Sequence, residues 1–444
     1  MTVKKPTTIQ EFKLMNQSNS WLRIGKLAKN KELVLNNLFQ HFNVENLREA
    51  FAAIDGSKAV GIDLVTKDQY GKNLNANLQD LVDRLHVGTY RPQVKRGVEI
   101  PKANGKTRLI AVGAFEDKLV EKVLAQMLTQ VYEPIFIETS YGFRPKRSTF
   151  HAVKTTFCAL FKKKRRYVVD IDIEKFFDTV SHRKMIKMLE KRINDRKLLS
   201  LISRMLEVGI MTDKGLIEKD EGTPQGGIAS PILANIYLHH SLDTWFLENF
   251  ARNGGVISRY ADDVVFSFTE SQQADRFLVD VKERLAFYNL KLNKDKSRKI
   301  DFAPRSGNIF HFTGFTFYWG TERGSNKKRL RLKTKKERLH KAISDLNDWL
   351  KLNRNRYTTT KIGTYVKSVL RGHFNYFGLD CNRPKLCHYY YAVTGLLFKW
   401  LNRRSQRKSI DGAKFKRMLL QDPLPFPPDA RKLKHLIDRG VYVH

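Results

Sequence analysis

The chain has 444 residues, 41% hydrophobic and 11% aromatic, enough for a sizeable core and suited to two or three domains rather than one. Its 81 basic and 45 acidic residues leave a formal net charge of +36, which repels itself in a compact state unless a polyanion neutralises it. Nucleic acid is the expected partner, with a generic basic or ribosome-associated protein as the plain alternative. No apolar run approaches the roughly 20 residues that span a bilayer, and the opening MTVKKPTTIQEF lacks the apolar stretch of a secretory signal, so no membrane partner is expected. Cys158, Cys381 and Cys387 are too few for a disulfide framework and fit a reducing cytosol, in a bacterium or its nucleoid. Cys381, Cys387 and His388 match no common zinc spacing and are expected to be packed side chains.

Residues 1 to about 60 read as polar helices, with Glu32 to Phe39 carrying apolar residues at mixed helical spacing. Lys95 to Ile110 reads as a hairpin turning at Ala103-Asn104-Gly105. A helix is expected from Glu116 to Val131, and a strand at Tyr167-Val168-Val169 leads into Asp170. Helix is also expected from Ile232 to Leu242. Ile257 to Phe268 reads as two apolar strands interrupted by Tyr260-Ala261-Asp262-Asp263. Lys327 to Lys336, KKRLRLKTKK, alternates cations around Leu330 and Leu332 as a strand with one basic face does. Helical spacing follows at Leu339, Ile343, Leu346, Trp349 and Leu350, then across Tyr365 to Tyr376 and His388 to Leu401. The proline-rich Pro423 to Pro428 cannot be regular helix.

Two segments carry the chemistry: Val168 to Asp178, containing Asp170, Asp172 and Asp178, and Arg259 to Phe266, containing Asp262 and Asp263. Adjacent carboxylates in an apolar strand context are costly unless a cation neutralises them, and a hard, oxygen-preferring ion such as Mg²⁺ does this well. Carboxylates from two adjacent strands would clamp two ions about 3.5–4 Å apart. Against this stands the tendency of aspartate to occupy hairpin tips for turn geometry alone. Asp170 alternates onto the face of Asp172, where a structural hydrogen bond is the simpler role, and Asp178 is expected to cap the following helix. Gly222 to Pro231 is a second distinctive string, whose glycines allow close backbone approach and whose Gln225 can both donate and accept hydrogen bonds.

Tyr260-Ala261-Asp262-Asp263 after an apolar strand resembles the signature of reverse transcriptases, and Asp172 followed five residues on by Phe177 matches the spacing of that family's other metal-binding strand. The resemblance implies an α+β right-hand polymerase, with fingers and an antiparallel palm sheet, plus an α-helical thumb. It assigns Asp172, Asp262 and Asp263 as catalytic ligands of two Mg²⁺ ions, or of Mn²⁺ in their place, with the Ile173 carbonyl assisting. Phe177 becomes the steric gate against a ribose 2′-hydroxyl. Lys102, Arg108, Gln225 and Lys296 become contacts to the deoxynucleoside triphosphate; Arg144, Gly226, Tyr260 and Gly314 become template and primer contacts. For Lys102 and Arg108 the plain alternative is a solvated hairpin, and for Phe312-Thr313-Gly314-Phe315 a buried aromatic hairpin, which is compatible with a primer grip.

Ser140-Tyr141-Gly142-Phe143-Arg144-Pro145-Lys146-Arg147-Ser148, Leu370 to Gly378 and Trp400 to Arg407 resemble the group II intron lineage, and the likeness runs from about residue 45 to 430. It implies an N-terminal extension over 1–60, fingers and palm over 61–330, a thumb or domain X over 331–420 and a tail over 421–444. It further implies RNA contacts at Arg371, Arg403, Arg404 and Arg407, with a solvated basic helix and a core Trp400 as the alternative. Three departures stand out: Ala111-Val112-Gly113-Ala114 replaces a string containing Gly-Ile-Pro, Asp411-Gly412-Ala413 stands where tryptophan is usual, and the endonuclease module of some relatives does not follow before His444. The expected function is RNA-directed DNA polymerase with a maturase role in splicing and retrohoming, acting on a structured intron or noncoding RNA and a DNA primer or target. The alternatives are a freestanding enzyme of phage defence or DNA repair, and an RNA-binding splicing cofactor without polymerase activity. Sequence leaves the oligomeric state open.

The charge makes one prediction independent of these choices. RNA affinity should fall by on the order of a thousandfold or more between about 50 and about 200 mM salt if six or more phosphates are neutralised. A filter-binding titration with a flat salt response would contradict it.

Overall fold

The computed structural model describes residues 21–101, 107–161, 165–218, 220–322, 324–404, 410–429 and 434–436. The chain is α+β and divides into two compact units: Met1–Ser148 with Ile171–Val264 and Asp275–Ser297, and Thr149–Asp170 with Val265–Ala274 and Arg298–His444. Among the described residues no helix is long and apolar enough to cross a membrane.

The strands are β1 (Lys95–Pro101), β2 (Thr107–Val112), β3 (Tyr167–Ile171), β4 (Ile210–Thr212), β5 (Gly215–Ile217), β6 (Val256–Tyr260), β7 (Asp263–Phe268), β8 (Arg298–Asp301), β9 (Phe310–Phe312), β10 (Phe315–Thr321) and β11 (Lys328–Thr334). They form sheets of order β2-β1-β4-β5, β6-β7-β3-β8 and β11-β10-β9. Most pairings are antiparallel; β1 and β4 run parallel, with Lys95 opposite Ile210.

In the first unit the centre is the helix Phe115–Tyr132, which buries Leu119, Val120, Val123, Leu124, Met127, Leu128 and Val131. Its width of burial exceeds a single amphipathic stripe, so it is a core helix surrounded by others. Asp117 and Glu121 are buried on the same helix and therefore require partners. Asp117 accepts from the Tyr90 hydroxyl and from the Gln93 backbone N–H at 3.0 Å, and burial pushes its carboxyl up to about 6. Of the stretch Glu32 to Phe39, expected to be helical, only Leu38 and Phe39 are, at the start of the short 3-10 helix Leu38–His41. Leu35 instead makes an isolated parallel bridge to Ile193, exchanging backbone hydrogen bonds with Arg192 and Asn194 at 2.9 Å. Leu35 is thus buried from an extended segment while Val34 is exposed, and Leu38 and Phe39 are buried from the short helix that follows. The helix expected to end at Leu242 is α-helical only over Ser230–Leu238 and continues as π-helix over His239–Asp243. Asp178 lies within the short helix Phe176–Thr179 and does not cap the next one; Ser181 does, accepting from Lys184 N–H at 3.4 Å.

In the second unit β11 buries Leu330, Leu332 and Thr334 and turns its alternate residues outward, as its basic alternation predicts. Helices Lys336–Asn353, Thr359–Phe377 and Arg383–Asn402 follow. They pack through Leu339, Leu346 and Leu350, Ile362, Val366 and Leu370, and Tyr389, Val393 and Leu397. Ring stacks reinforce them, Trp349 on Tyr365 at 3.7 Å and His373 on Tyr389 at 3.8 Å between centroids. Trp400 is buried, and its indole N–H donates to Asn347 at 3.0 Å.

Asn382, fully buried, joins strand to helix in this unit. Its Oδ1 accepts from Thr334 N–H at 2.8 Å, and its Nδ2 donates to Thr334 Oγ1 at 2.9 Å and to the Phe377 carbonyl at 3.0 Å. Asn382→Ala strands three buried partners and should lower unfolding free energy by about 2–4 kcal/mol. Urea denaturation measures this; a loss below about 0.5 kcal/mol would show that water replaces the amide.

Candidate active site

The Tyr260-Ala261-Asp262-Asp263 segment is a tight hairpin. β6 ends at Tyr260 and β7 begins at Asp263, so two residues make the turn, and Ala261 takes the left-handed conformation with φ 59°. That conformation suits a two-residue hairpin but is unfavourable for alanine by about 1–3 kcal/mol, so the surroundings must impose it. They do so in two ways. Arg259 is wholly buried, and its guanidinium pairs twice with buried Asp243, at 2.8 and 2.5 Å, while also donating to Asn235 Oδ1 at 2.9 Å and to the Ala261 carbonyl at 3.0 Å. Asn235 in turn donates to the Gly142 carbonyl at 2.7 Å. The segment around Gly142 lies directly against the turn: Tyr141 N–H donates to the Arg259 carbonyl at 2.8 Å, and a Cβ on Gly142 would fall 2.2 Å from Ala261 N. Only glycine allows that approach.

Asp172 follows β3, and its backbone is fixed on both sides. Its N–H donates to Ser297 Oγ at 3.1 Å, and its carbonyl accepts from Asn293 N–H at 2.8 Å. The neighbouring Ile173 is buried and bridges Leu292. Lys296 Nζ lies 3.3 Å from Asp172 Oδ2, with both side chains well exposed to water. The Asp262 side chain is reachable by solvent, yet protein crowds its other sides. That loss of hydration, with the negative charge of Asp172, holds its carboxyl above the ordinary range, against the opposing pull of Arg108 and Arg259. Asp172, Asp262, Arg108 and Lys296 therefore share one electrostatic neighbourhood. Asp263 is half-buried at the start of β7.

Among the described residues no three His, Cys, Asp or Glu side chains form a ready cage for a metal. The donor chemistry nevertheless fits a hard divalent cation: two acceptor-only carboxylates raise one another's energy, and one of them already draws an ammonium.

The glycine-rich string packs on the Phe177 turn. Thr223 N–H donates to the Phe177 carbonyl at 2.7 Å, His182 Nε2 lies 2.7 Å from the Gly222 carbonyl, and Gly222 has φ 96°, where a Cβ would fall 2.9 Å from the Phe177 carbonyl oxygen. Phe177 itself is half-buried, edge-on to Phe176 at 5.3 Å. The Gln225 carbonyl accepts from Ala111 N–H at 2.7 Å, which sets Gln225 and exposed Gly226 beside β2, the strand bearing Arg108. The residue that anchors this string is one the sequence analysis did not single out, Glu121. Its Oε2 accepts from Ile228 N–H, and its Oε1 takes the Lys95 ammonium at 2.6 Å in a pair almost closed to solvent. A charge within the apolar run Leu119 to Leu124 is the sequence signal for such a partner, as is Arg259 within β6.

Other expected contacts lie elsewhere. Arg144 is buried: it pairs with Glu133 at 2.9 Å through two nitrogens and donates to the Ile137 and Ser140 carbonyls at 2.6 and 2.7 Å. The structure thus places this guanidinium as a brace beneath the Gly142 segment, facing protein rather than solvent. Tyr260 is half-buried at the end of β6. In the second unit Gly314 makes the β9–β10 turn with φ 81°, and the Tyr376 hydroxyl donates to the adjacent Thr313 carbonyl at 3.1 Å; Phe312 and Phe315 are buried, as the aromatic-hairpin alternative requires. Arg371 and Arg403 are exposed, Arg403 beside the Trp400 ring at 5.7 Å, and Arg404 is half-buried. Lys102, Arg407 and the turn Ala103-Asn104-Gly105 lie outside the described residues.

Residues 100–317 match the family described as "Reverse transcriptase (RNA-dependent DNA polymerase)". That interval contains every site residue just placed in the first unit except Lys95. The chain is 32% identical to "Protein YkfC" of Escherichia coli over 293 residues, covering 58% of this chain and 76% of that protein. It is 36% identical over 197 residues to "Group II intron-encoded protein LtrA" of Lactococcus lactis, covering 44% and 31% respectively. The chain belongs to the group II intron reverse transcriptase and maturase family. A plant relative, "Nuclear intron maturase 2, mitochondrial" of Arabidopsis thaliana, is 25% identical over 238 residues, with 44% of this chain and 30% of that one aligned. The chain thus spans only about a third of these two intron-associated relatives.

Within this family member the Arg259–Asp243 pair is the test of how the turn is held. Asp243→Ala leaves a buried guanidinium uncompensated and should cost about 3–5 kcal/mol of stability. Asp243→Asn, which keeps two polar atoms, should cost less. Equal stability of all three proteins in chemical denaturation would refute the anchoring role.

Proposed function

We propose that this protein is an RNA-directed DNA polymerase that also serves an intron RNA as a maturase. The observation that carries the proposal is that Asp172, Asp262, Arg108 and Lys296 share one electrostatic neighbourhood, with the Gly222–Pro231 string tied both to the Phe177 turn and to the strand bearing Arg108. In this reading residues 61–330 are the fingers and palm, 331–420 the thumb or domain X, and 1–60 and 421–444 the extension and tail. Asp172 and Asp262, with Asp263 and the Ile173 carbonyl, would hold two Mg²⁺ ions. Such ions make a primer hydroxyl easier to deprotonate and stabilise charge on the leaving pyrophosphate.

The chain's own residues have distinct tasks. Arg108 on β2 places positive charge where a triphosphate accumulates negative charge. Lys296, now drawn to Asp172, is free to exchange that contact for a phosphate oxygen, because both partners are hydrated and such pairs are worth little. The Gln225 and Gly226 backbone sits next to β2, where a nascent base pair could be read closely by the Gln225 amide. Phe177, its backbone clamped by Thr223, offers a fixed ring against a ribose 2′-hydroxyl. Arg371, Arg403 and Arg404 supply cations for intron RNA in the helical unit. The intron-associated names of the relatives support the maturase part of the reading.

Primer extension on an RNA template with Mg²⁺ tests the polymerase. Asp262→Ala should reduce extension by at least about a thousandfold, since a ligand of transition-state charge is removed. Equal extension by wild type and variant would move the active site elsewhere. If neither extends yet both promote intron splicing, the chain is an RNA-binding cofactor. A second measurement addresses sugar choice: Phe177→Ala or Val should admit ribonucleotides, and unchanged discrimination would remove the gate from this ring.

A further inference from the structure

The helical unit holds a cleft of about 420 Å³ that the polymerase reading leaves unused. It is lined by the ends of several elements: Lys333 from β11, Lys336 and Glu337 from the start of the helix Lys336–Asn353, Lys385 and His388 from the helix Arg383–Asn402, and His311 from β9. Three lysines against one glutamate leave two net positive charges with the histidines neutral. The opposing carboxylate is partly satisfied already. Glu337 takes its own backbone N–H, with Lys335 and His311 nearby, and this keeps it below the usual carboxylate range. Lys333 leans over the Tyr318 ring at 4.7 Å, which fixes its ammonium at the rim. His311 Nδ1 is 3.0 Å from Thr316 Oγ1, so its other nitrogen is the one available to a ligand. Ile309 and Leu339 add apolar wall.

The volume lies within the range of small-molecule sites and exceeds what a bare inorganic anion fills. The charge matches a phosphate monoester, which carries about −1.5 to −2 at neutral pH, better than a singly charged phosphodiester. We propose that this cleft binds one nucleotide through a terminal phosphate, with the base against Ile309 and Leu339. The phosphate arrives either on a free nucleotide or on the 5′ end of an RNA strand; the shared chemistry is the monoester. The basic strand Lys327 to Lys336 thereby acquires a purpose distinct from diffuse attraction to RNA.

Titration calorimetry of the full chain with 5′-AMP tests this, followed by competition with a tetraribonucleotide carrying either a 5′-phosphate or a 5′-hydroxyl. Lys385 is half-exposed and His388 exposed, so Lys385→Ala combined with His388→Ala should fold normally, and a thermal melt checks that. The double variant should weaken AMP binding on the order of tenfold or more, Lys385→Arg should retain most of it, and Asp262→Ala should leave it unchanged. Of the two tetranucleotides, only the phosphorylated one should compete, and its affinity relative to AMP identifies the source. Absence of saturable AMP binding, equal binding by wild type and double variant, loss in Asp262→Ala, or equal competition by the 5′-hydroxyl strand would each overturn the proposal. Should the double variant melt early, Lys336→Ala on an exposed helix start carries the same expectation.

Discussion

A fully buried guanidinium governs the candidate site. Arg259 sits one residue before Tyr260-Ala261-Asp262-Asp263, and all its bonds are spent inside the protein, on Asp243, Asn235 and the Ala261 carbonyl. Burial of an ion pair is expensive unless geometry is good and the remaining donors are satisfied, and both conditions hold here. The consequence is directional. Because Arg259 grips the Ala261 carbonyl, the left-handed turn cannot relax, and Asp262 is held in a position where its charge is disfavoured. Strain and unfavourable charge at one point, supported by a rigid network behind it, is the arrangement expected of a functional turn.

A second buried charge pair does the same for the other wall. Glu121 receives Lys95 on one oxygen and the Ile228 amide on the other, so the Gly222–Pro231 string is tied to β1 and to the central helix together. The opposite end of that string is tied to the Phe177 turn through Thr223 and Gly222. The string is therefore fixed at both ends while Gln225 and Gly226 between them remain accessible. The charges differ in how they meet water: Asp172 and Lys296 are well hydrated and Asp262 reaches solvent on one side only, whereas the pairs Arg259–Asp243 and Lys95–Glu121 behind them are dry. Substrate-facing groups can then exchange partners without loss of the frame, as the weak Lys296–Asp172 contact illustrates.

Much of this was legible in the chain. Period-two alternation marked β11, helical spacing marked the three long helices after it, and the Tyr-Ala-Asp-Asp and Gly222–Pro231 strings identified the family that the comparisons bear out. The failures share a cause. Glu32 to Asn37 has helix-compatible spacing, but Leu35 is claimed by a bridge to Ile193, a partner 158 positions away, and helix begins only at Leu38. Asp178 has the chemistry of a cap, yet the chain turns three residues later and Ser181 takes the position. The partners of Arg144, expected as a template or primer contact, were likewise not legible: Glu133 and two carbonyls take its guanidinium from elsewhere in the fold.

The sequence by itself determined which chemistry is present: Asp172, Asp262 and Asp263 in two short apolar segments, a basic excess that calls for a polyanion, and glycines where backbones must touch. Those properties reside in residue type and local spacing, and they survive without knowledge of any neighbour. Only the tertiary structure decided which charges face substrate and which face protein, because that depends on what each side chain meets across long stretches of chain. It separated Arg108, exposed beside Asp262, from Arg144 and Arg259, sealed beneath the turn. It also gathered Lys333, Lys336 and Lys385 around one cleft, where the sequence had offered only a basic run.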